Sequence, residues 1–101
     1  MEIQLNEKRF KLRADLAALM EFEQETGLKF NAIGEDSSLW EVGSLIFHFA
    51  KRGAAVEGAP FEYSREDFLG LIEFNQVAYL VTAVGAIMGA ADEVGEKKAK
   101  A

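Results

Sequence analysis

The chain contains no cysteine, one proline and one histidine. Without thiols there is no disulfide scaffold, no thiolate metal site and no cysteine nucleophile. With a single imidazole as well, a transition-metal site is not expected. Cations are also scarce, with 11 Lys and Arg against 17 Asp and Glu, a formal net charge of −6. That balance argues against nucleic-acid binding, which needs clustered Lys and Arg to neutralise phosphates. The start of the chain lacks the apolar run of a secretory signal, because Met1-Glu2-Ile3-Gln4-Leu5 alternates. No phosphate-binding loop, dinucleotide fingerprint or calcium loop is present, so no cofactor is expected.

What the chain does have is apolar material. Half of its 101 residues are hydrophobic, eight of them Phe, with 28% charged. This composition argues against disorder, and the length fits one domain. We read that domain as residues 1–93, followed by a polar tail over 94–101 that carries Glu96, Lys97, Lys98 and Lys100.

Alternation over 2–13 predicts a β-hairpin turning at Asn6-Glu7. Positions summing to 13 then face each other: Ile3 with Phe10 and Met1 with Leu12 on one side, Glu2 with Lys11 and Gln4 with Arg9 on the other. From Asp15 the period becomes helical. A first helix is predicted over about 15–26, capped by Asp15, stopped by Gly27, and turning Leu16, Leu19 and Met20 inward. Ser38-Leu39-Trp40-Glu41 reads as a capping box opening a second helix over 38–52, ending at Gly53. Leu39, Val42, Ile46, Phe49 and Ala50 form its main apolar stripe, and Trp40 and Phe47 a second edge. Glu41, Ser44, His48, Lys51 and Arg52 fall on its wet side. A loop over 53–63 leads to a third helix, about 65–73, capped by Ser64. A fourth is predicted over 74–91, either continuous with the third or separated from it.

The fourth helix lies in a stretch of 18 residues, Phe74 to Ala91, without a charge. That reaches the lower edge of membrane-spanning length. Its wheel nevertheless separates a large face (Phe74, Val77, Leu80, Val81, Val84, Ile87, Met88) from a small one. A lipid-facing helix is apolar all round, so a membrane span is not expected. The small face, around Tyr79, Thr82, Gly85 and Gly89, is the candidate partner-binding surface, for a second copy or another protein, because an uncharged exposed face is otherwise a liability. Glu23 falls inside the apolar stripe of the first helix. A carboxylate there needs a hydrogen bond or a cation, and we assign it a structural tie to a neighbouring loop, with Arg13 and Lys29 as nearby cations. Ser44 and His48 lie four apart, but no Gly-x-Ser-x-Gly elbow surrounds them. The histidine is read as solvated, and no catalytic residue is nominated.

The fold expected is α+β and mainly helical, an N-terminal hairpin packed on three to four helices. The order of elements, together with Ala18-Leu19, Glu21, Glu23, Glu25 and Thr26-Gly27, resembles the tail assembly chaperones of long-tailed phages, prophages and gene transfer agents. Ser64, Glu66, Asp67, Leu71 and Ile72 match the family's second motif, and Phe22 stands where an aliphatic residue is usual. The resemblance covers about residues 3 to 90. It implies a non-enzymatic protein of the bacterial host cytoplasm that binds the tape measure and tail tube proteins and is absent from the finished particle. Such families often make a second, longer product by frameshifting. The alternative is a small structural or regulatory oligomerisation domain with an unknown partner.

Overall fold

Two four-residue strands open the chain, β1 (Glu2–Leu5) and β2 (Lys8–Lys11), paired antiparallel with Ile3 opposite Phe10 and Gln4 opposite Arg9. Asn6 and Glu7 both have positive φ, 49° and 69°. This is the turn geometry whose twist matches that of the strands, and Glu7 adopts it without a glycine. The computed structural model describes residues 2–33 and 37–87. Four helices follow the hairpin: α1 (Leu16–Thr26), α2 (Leu39–Glu57), α3 (Arg65–Leu69) and α4, residues 77–87. Single 3-10 turns lie at Phe30–Ala32 and Phe74–Gln76. The architecture is therefore α+β and mainly helical. The expected pairing of Met1, the continuation of α4 through Gly89 to 91 and the 94–101 tail lie outside the described residues.

One helix organises the rest. Residues 42–50 of α2 are all buried, so the helix is covered on every flank along this stretch. The hairpin contributes Ile3, Leu5 and Phe10 to that cover, α1 contributes Ala18 and Phe22, and α4 contributes Leu80, Ala83 and Val84. Phe10, Phe47, Phe61, Tyr63 and Phe68 form a ring cluster with centroids 5.1–6.4 Å apart, mostly edge to face. Such pairs add about 0.5–1.5 kcal/mol each beyond their buried area, and here they join β2, α2, the 58–64 loop and α3.

Helix α2 runs past Gly53 to Glu57, and Gly58 supplies the left-handed stop at φ 69°. Gly53 is not a terminator because its job is packing. A Cβ there would fall on the main-chain carbonyl of Lys11. The chain leaving β2 crosses the helix at this point, and Arg13 N–H donates to the Phe49 carbonyl at 3.0 Å. Ala54 and Ala55, read as loop, are good helix formers and extend the helix far enough for Glu57 to meet Lys11 at 2.5 Å.

Other expectations are also corrected. Leu16 and Met20 are 70% and 50% exposed, and α1 packs instead through Ala18 and Phe22, one turn apart. Ser38 occupies the cap position of α2 but its side chain makes no capping bond. Helix α3 ends at Leu69, and the chain bends at Gly70 before α4, so the third and fourth helices are separate. The new start is marked by Gln76, whose Oε1 accepts from Glu73 N–H at 3.1 Å. The caps at Asp15 and Ser64 form, accepting from Ala18 and Asp67 N–H.

Two predictions follow from these contacts. Alanine normally stabilises a helix interior relative to glycine by about 0.5–1 kcal/mol. Gly53→Ala instead loses about 1–3 kcal/mol through overpacking against Lys11, read as a lower urea midpoint. The second concerns Asp15, whose carboxyl is held down from 3.8 to about 2, first by the Arg52 hydrogen bond and also by those from Ala18 N–H and Arg13, against burial. Its stabilisation is present above 3.8 and lost as pH falls through about 2. Asp15→Asn keeps a capping oxygen but not the charge, so its unfolding free energy varies less across that window than the wild type's.

Candidate functional site

The N-terminal end of α2 and the segment from Leu69 to Leu80 do not close on each other. Between them lies a groove of about 360 Å³, lined by Leu39, Trp40, Val42 and Gly43 on one side and by Leu69, Ile72, Glu73, Phe74, Val77 and Leu80 on the other. The α2 wall is close because Gly43 has no side chain, and a Cβ there would strike the Leu69 side chain. The 3-10 turn at Phe74 then throws the other wall outward. Leu39 and Trp40 are 55% and 48% exposed, and Phe74 is 89% exposed. Sequence reasoning placed all three on core faces. They stand instead at the first turn of α2 and in the 3-10 turn before α4, where the chain enters the bundle and fewer neighbours cover it.

The groove's charge is one-sided. Segments 39–50 and 66–87 carry Glu41, Glu66, Asp67 and Glu73 but no Lys or Arg. Of these, Glu73 lines the groove itself.

The small-residue face of α4 points away from the core. Ala78, Tyr79, Thr82, Gly85 and Ala86 are exposed, whereas Leu80, Ala83 and Val84 are buried. Apart from its chain neighbours and the backbone of its own helix turns, no described atom lies within 4 Å of where a Gly85 Cβ would sit. Tyr79 also has a local task. Its hydroxyl accepts from Gln4 N–H at 3.3 Å, and Gln76 Nε2 donates to the Gln4 carbonyl at 3.3 Å. These two side chains occupy the open edge of β1, which would otherwise present bare ladder groups. Thr82 Oγ1 donates back to the Ala78 carbonyl at 2.9 Å, and Gly89 lies outside the described residues. Glu23 is half-buried and its Oε2 accepts from Phe30 N–H at 3.1 Å. The partner is thus loop backbone, while Arg13 pairs with Asp15.

A second cluster lies between α1 and α2. Ser44 and His48, read as solvated, are 0% and 1% exposed. Their flank of α2 is the one that α1 covers, and the His48 ring stands edge-on to Phe22 and Phe47, with centroids 6.1 and 5.0 Å away. The signal in the sequence was the uncharged run Val42–Ala50, too long to leave one flank wet. His48 Nδ1 lies 3.5 Å from Glu21 Oε1, and Nε2 lies 3.5 Å from Glu25 Oε2. Both carboxylates also hold surface cations, Lys51 on Glu21 at 2.5 Å and Arg65 on Glu25 at 3.1 Å. Burial pushes the imidazole below its ordinary value, against the pull of the Glu25 and Glu21 carboxylates. The Lys51 hydrogen bond holds Glu21 below the usual carboxylate range.

No family model matches the chain, and no characterised protein or solved structure matches it. No helix among the described residues is long and apolar enough to cross a membrane.

Because the Phe74 side chain is almost wholly in water, removing it costs the fold little. Phe74→Ser shifts the unfolding free energy by no more than about 0.5 kcal/mol, measured by chemical denaturation, whereas Phe68→Ser in the core removes the folded state.

Proposed function

We propose that this protein is a non-enzymatic tail assembly chaperone of a phage or prophage. It acts by holding an apolar helical segment of the tape measure protein in the groove between α2 and α4, in the bacterial cytoplasm and before the particle is complete. The observation that carries this reading is the groove, with Leu39, Trp40 and Phe74 exposed around it. Aromatic side chains at the mouth of an apolar groove are typical anchors for an amphipathic helix. The one charged side chain of the walls is the Glu73 carboxylate, so the complementary segment is apolar along one face and carries a Lys or Arg beside it. The resemblance in element order and in the Ala18–Gly27 and Ser64–Ile72 motifs adds the identity of the partner, and tail tube subunits are the second partner it implies.

One observation favours the alternative of an oligomerisation domain: the uncharged outer face of α4, open at Gly85. There a helix from a second copy would approach closely. Gly85→Leu separates the two surfaces, because it blocks helix approach at α4 and leaves the groove intact.

The test is coexpression with the tape measure protein that this reading expects among the neighbouring genes. Wild type and Gly85→Leu keep that protein soluble, whereas the folded double variant Trp40→Ser, Phe74→Ser loses most of the effect. Equal rescue by the wild type and both variants removes the groove from the function. Absence of tail tube and tape measure genes from the neighbourhood removes the chaperone reading itself.

A further inference from the structure

Among the described residues, neither ring nitrogen of His48 nor Ser44 Oγ has a hydrogen-bond partner, although all three atoms are buried. Buried polar atoms left bare are costly, and in native structures they call for an explanation. His48 is the more informative case because of what it faces. Each ring nitrogen looks at a carboxylate oxygen 3.5 Å away, and a neutral imidazole has only one N–H to give. One nitrogen therefore turns a lone pair toward an anionic oxygen. When the imidazole is neutral, that lone pair and the carboxylate oxygen beside it can share a cation.

We propose that Glu21, Glu25 and His48 form a site for a divalent cation of the zinc class that ties α1 to α2. One ligand atom from each of the three residues can be chosen so that all lie within 4.8 Å of one another. The 3.5 Å separations are long for hydrogen bonds. An imidazole gives one nitrogen to one ion, so one of the two is a ligand–ligand edge. That spacing suits neighbours on a tetrahedral ion, which stand roughly 3.3–3.5 Å apart when each is about 2.0–2.1 Å from the metal. The second carboxylate, within 4.8 Å, closes on the ion by side-chain rotation. The donors suit the ion as well, since imidazole and carboxylate together are a zinc-type set and three protein ligands leave a fourth position for water.

The scaffold supports the same assignment. Glu21 and Glu25 are four apart on α1 and so share a face, and His48 meets them from α2 with its ring held between Phe22 and Phe47. The buried imidazole is fixed while the two carboxylates are partly exposed, which gives an ion a path from solvent. Arg65 holds Glu25 Oε1 and leaves Oε2 for the ion, an outer contact of the kind that orients a carboxylate ligand. Lys51 is different, because it takes the same Glu21 oxygen that faces His48. In the bound form its exposed ammonium has to swing aside, which a four-carbon stem allows. The cluster shares no residue with the groove, so this site stands or falls independently of the chaperone reading.

The experiment is zinc titration of the full chain, stripped with chelator, near neutral pH. Wild type binds one equivalent, and its melting temperature rises by roughly 10 °C when free zinc is a hundredfold above Kd. Glu25→Gln and Glu21→Gln are surface variants that fold, and both lose the shift. Lys51→Ala binds zinc more tightly than wild type because its competitor for Glu21 is gone, an outcome that a merely structural ion pair does not produce. Cobalt substitution adds an independent readout, a visible ligand-field band that disappears in Glu25→Gln. No saturable shift in wild type, or the same shift in wild type and in both glutamine variants, overturns the proposal. So does weaker zinc binding by Lys51→Ala.

Discussion

The crossing of the chain over α2 at Gly53 is the contact on which the arrangement depends. The hairpin has only two strands and so cannot hold itself together in water. It must lie flat on a helix, and the Lys11 carbonyl reaches α2 only because position 53 has no side chain. Once Arg13 N–H has joined the Phe49 carbonyl, Ile3, Leu5 and Phe10 are committed to one flank of α2. The following residue that caps a helix, Asp15, is then placed next to Arg52, which it meets at 2.7 Å. Helix α1 must therefore start beside α2 and run along it. The position of two elements follows from one missing methyl group.

With the hairpin and α1 on two flanks, the remaining flank goes to α3 and α4. Gly43 repeats the device at lower cost, admitting Leu69. Here the cover is incomplete, because α3 is one turn long and the chain bends at Gly70 before α4 begins. A short helix followed by a bend cannot bury the first turn of α2, and the groove beside Trp40 is the result. Acids and cations are separated along the same line. Cations concentrate in the hairpin and near the C-terminal half of α2, where Lys11, Arg13, Lys51 and Arg52 all find carboxylates, while among the described residues the charged lining of the groove is Glu73. A partner entering the groove therefore meets a carboxylate beside exposed apolar surface.

Much of this was legible in the sequence, and the failures share a cause. The hairpin register, the caps at Asp15 and Ser64 and the stop at Gly27 depend on neighbours within a few residues, and local chemistry decides them. Gly53 was misread because a glycine after an apolar helix looks the same whether it ends the helix or admits another backbone. Leu16 and Met20 were misread because α1 presents two possible stripes, and only contact with α2 selects Ala18 and Phe22. The division of α4 into a face of large side chains and a face with Tyr79, Thr82 and Gly85 was legible, since size alone divides that helix. The groove was not, because Trp40 and Phe74 look like core until the bend at Gly70 separates the walls. Nor was the burial of His48, which depends on which flank of α2 receives α1.

That last point bears on how α1 is held. It buries only Ala18 and Phe22 fully, and leaves Leu16 and Met20 in water. Leu19 adds a partly buried apolar contact, and the polar attachments are Asp15 to Arg52, Glu21 to Lys51, Glu25 to Arg65 and the histidine between the two glutamates. Exposed ion pairs contribute little each, about 0–1 kcal/mol, so the seat of α1 rests mainly on Ala18, Leu19 and Phe22. A buried histidine with no hydrogen bond weakens that seat further, and an apolar residue of similar size would pack there at less cost. The polar choice is therefore not explained by stability of the empty site. It is explained if the free energy of α1 docking is completed by a bound cation, because the three ligands come from both helices and the ion binds only when they are together.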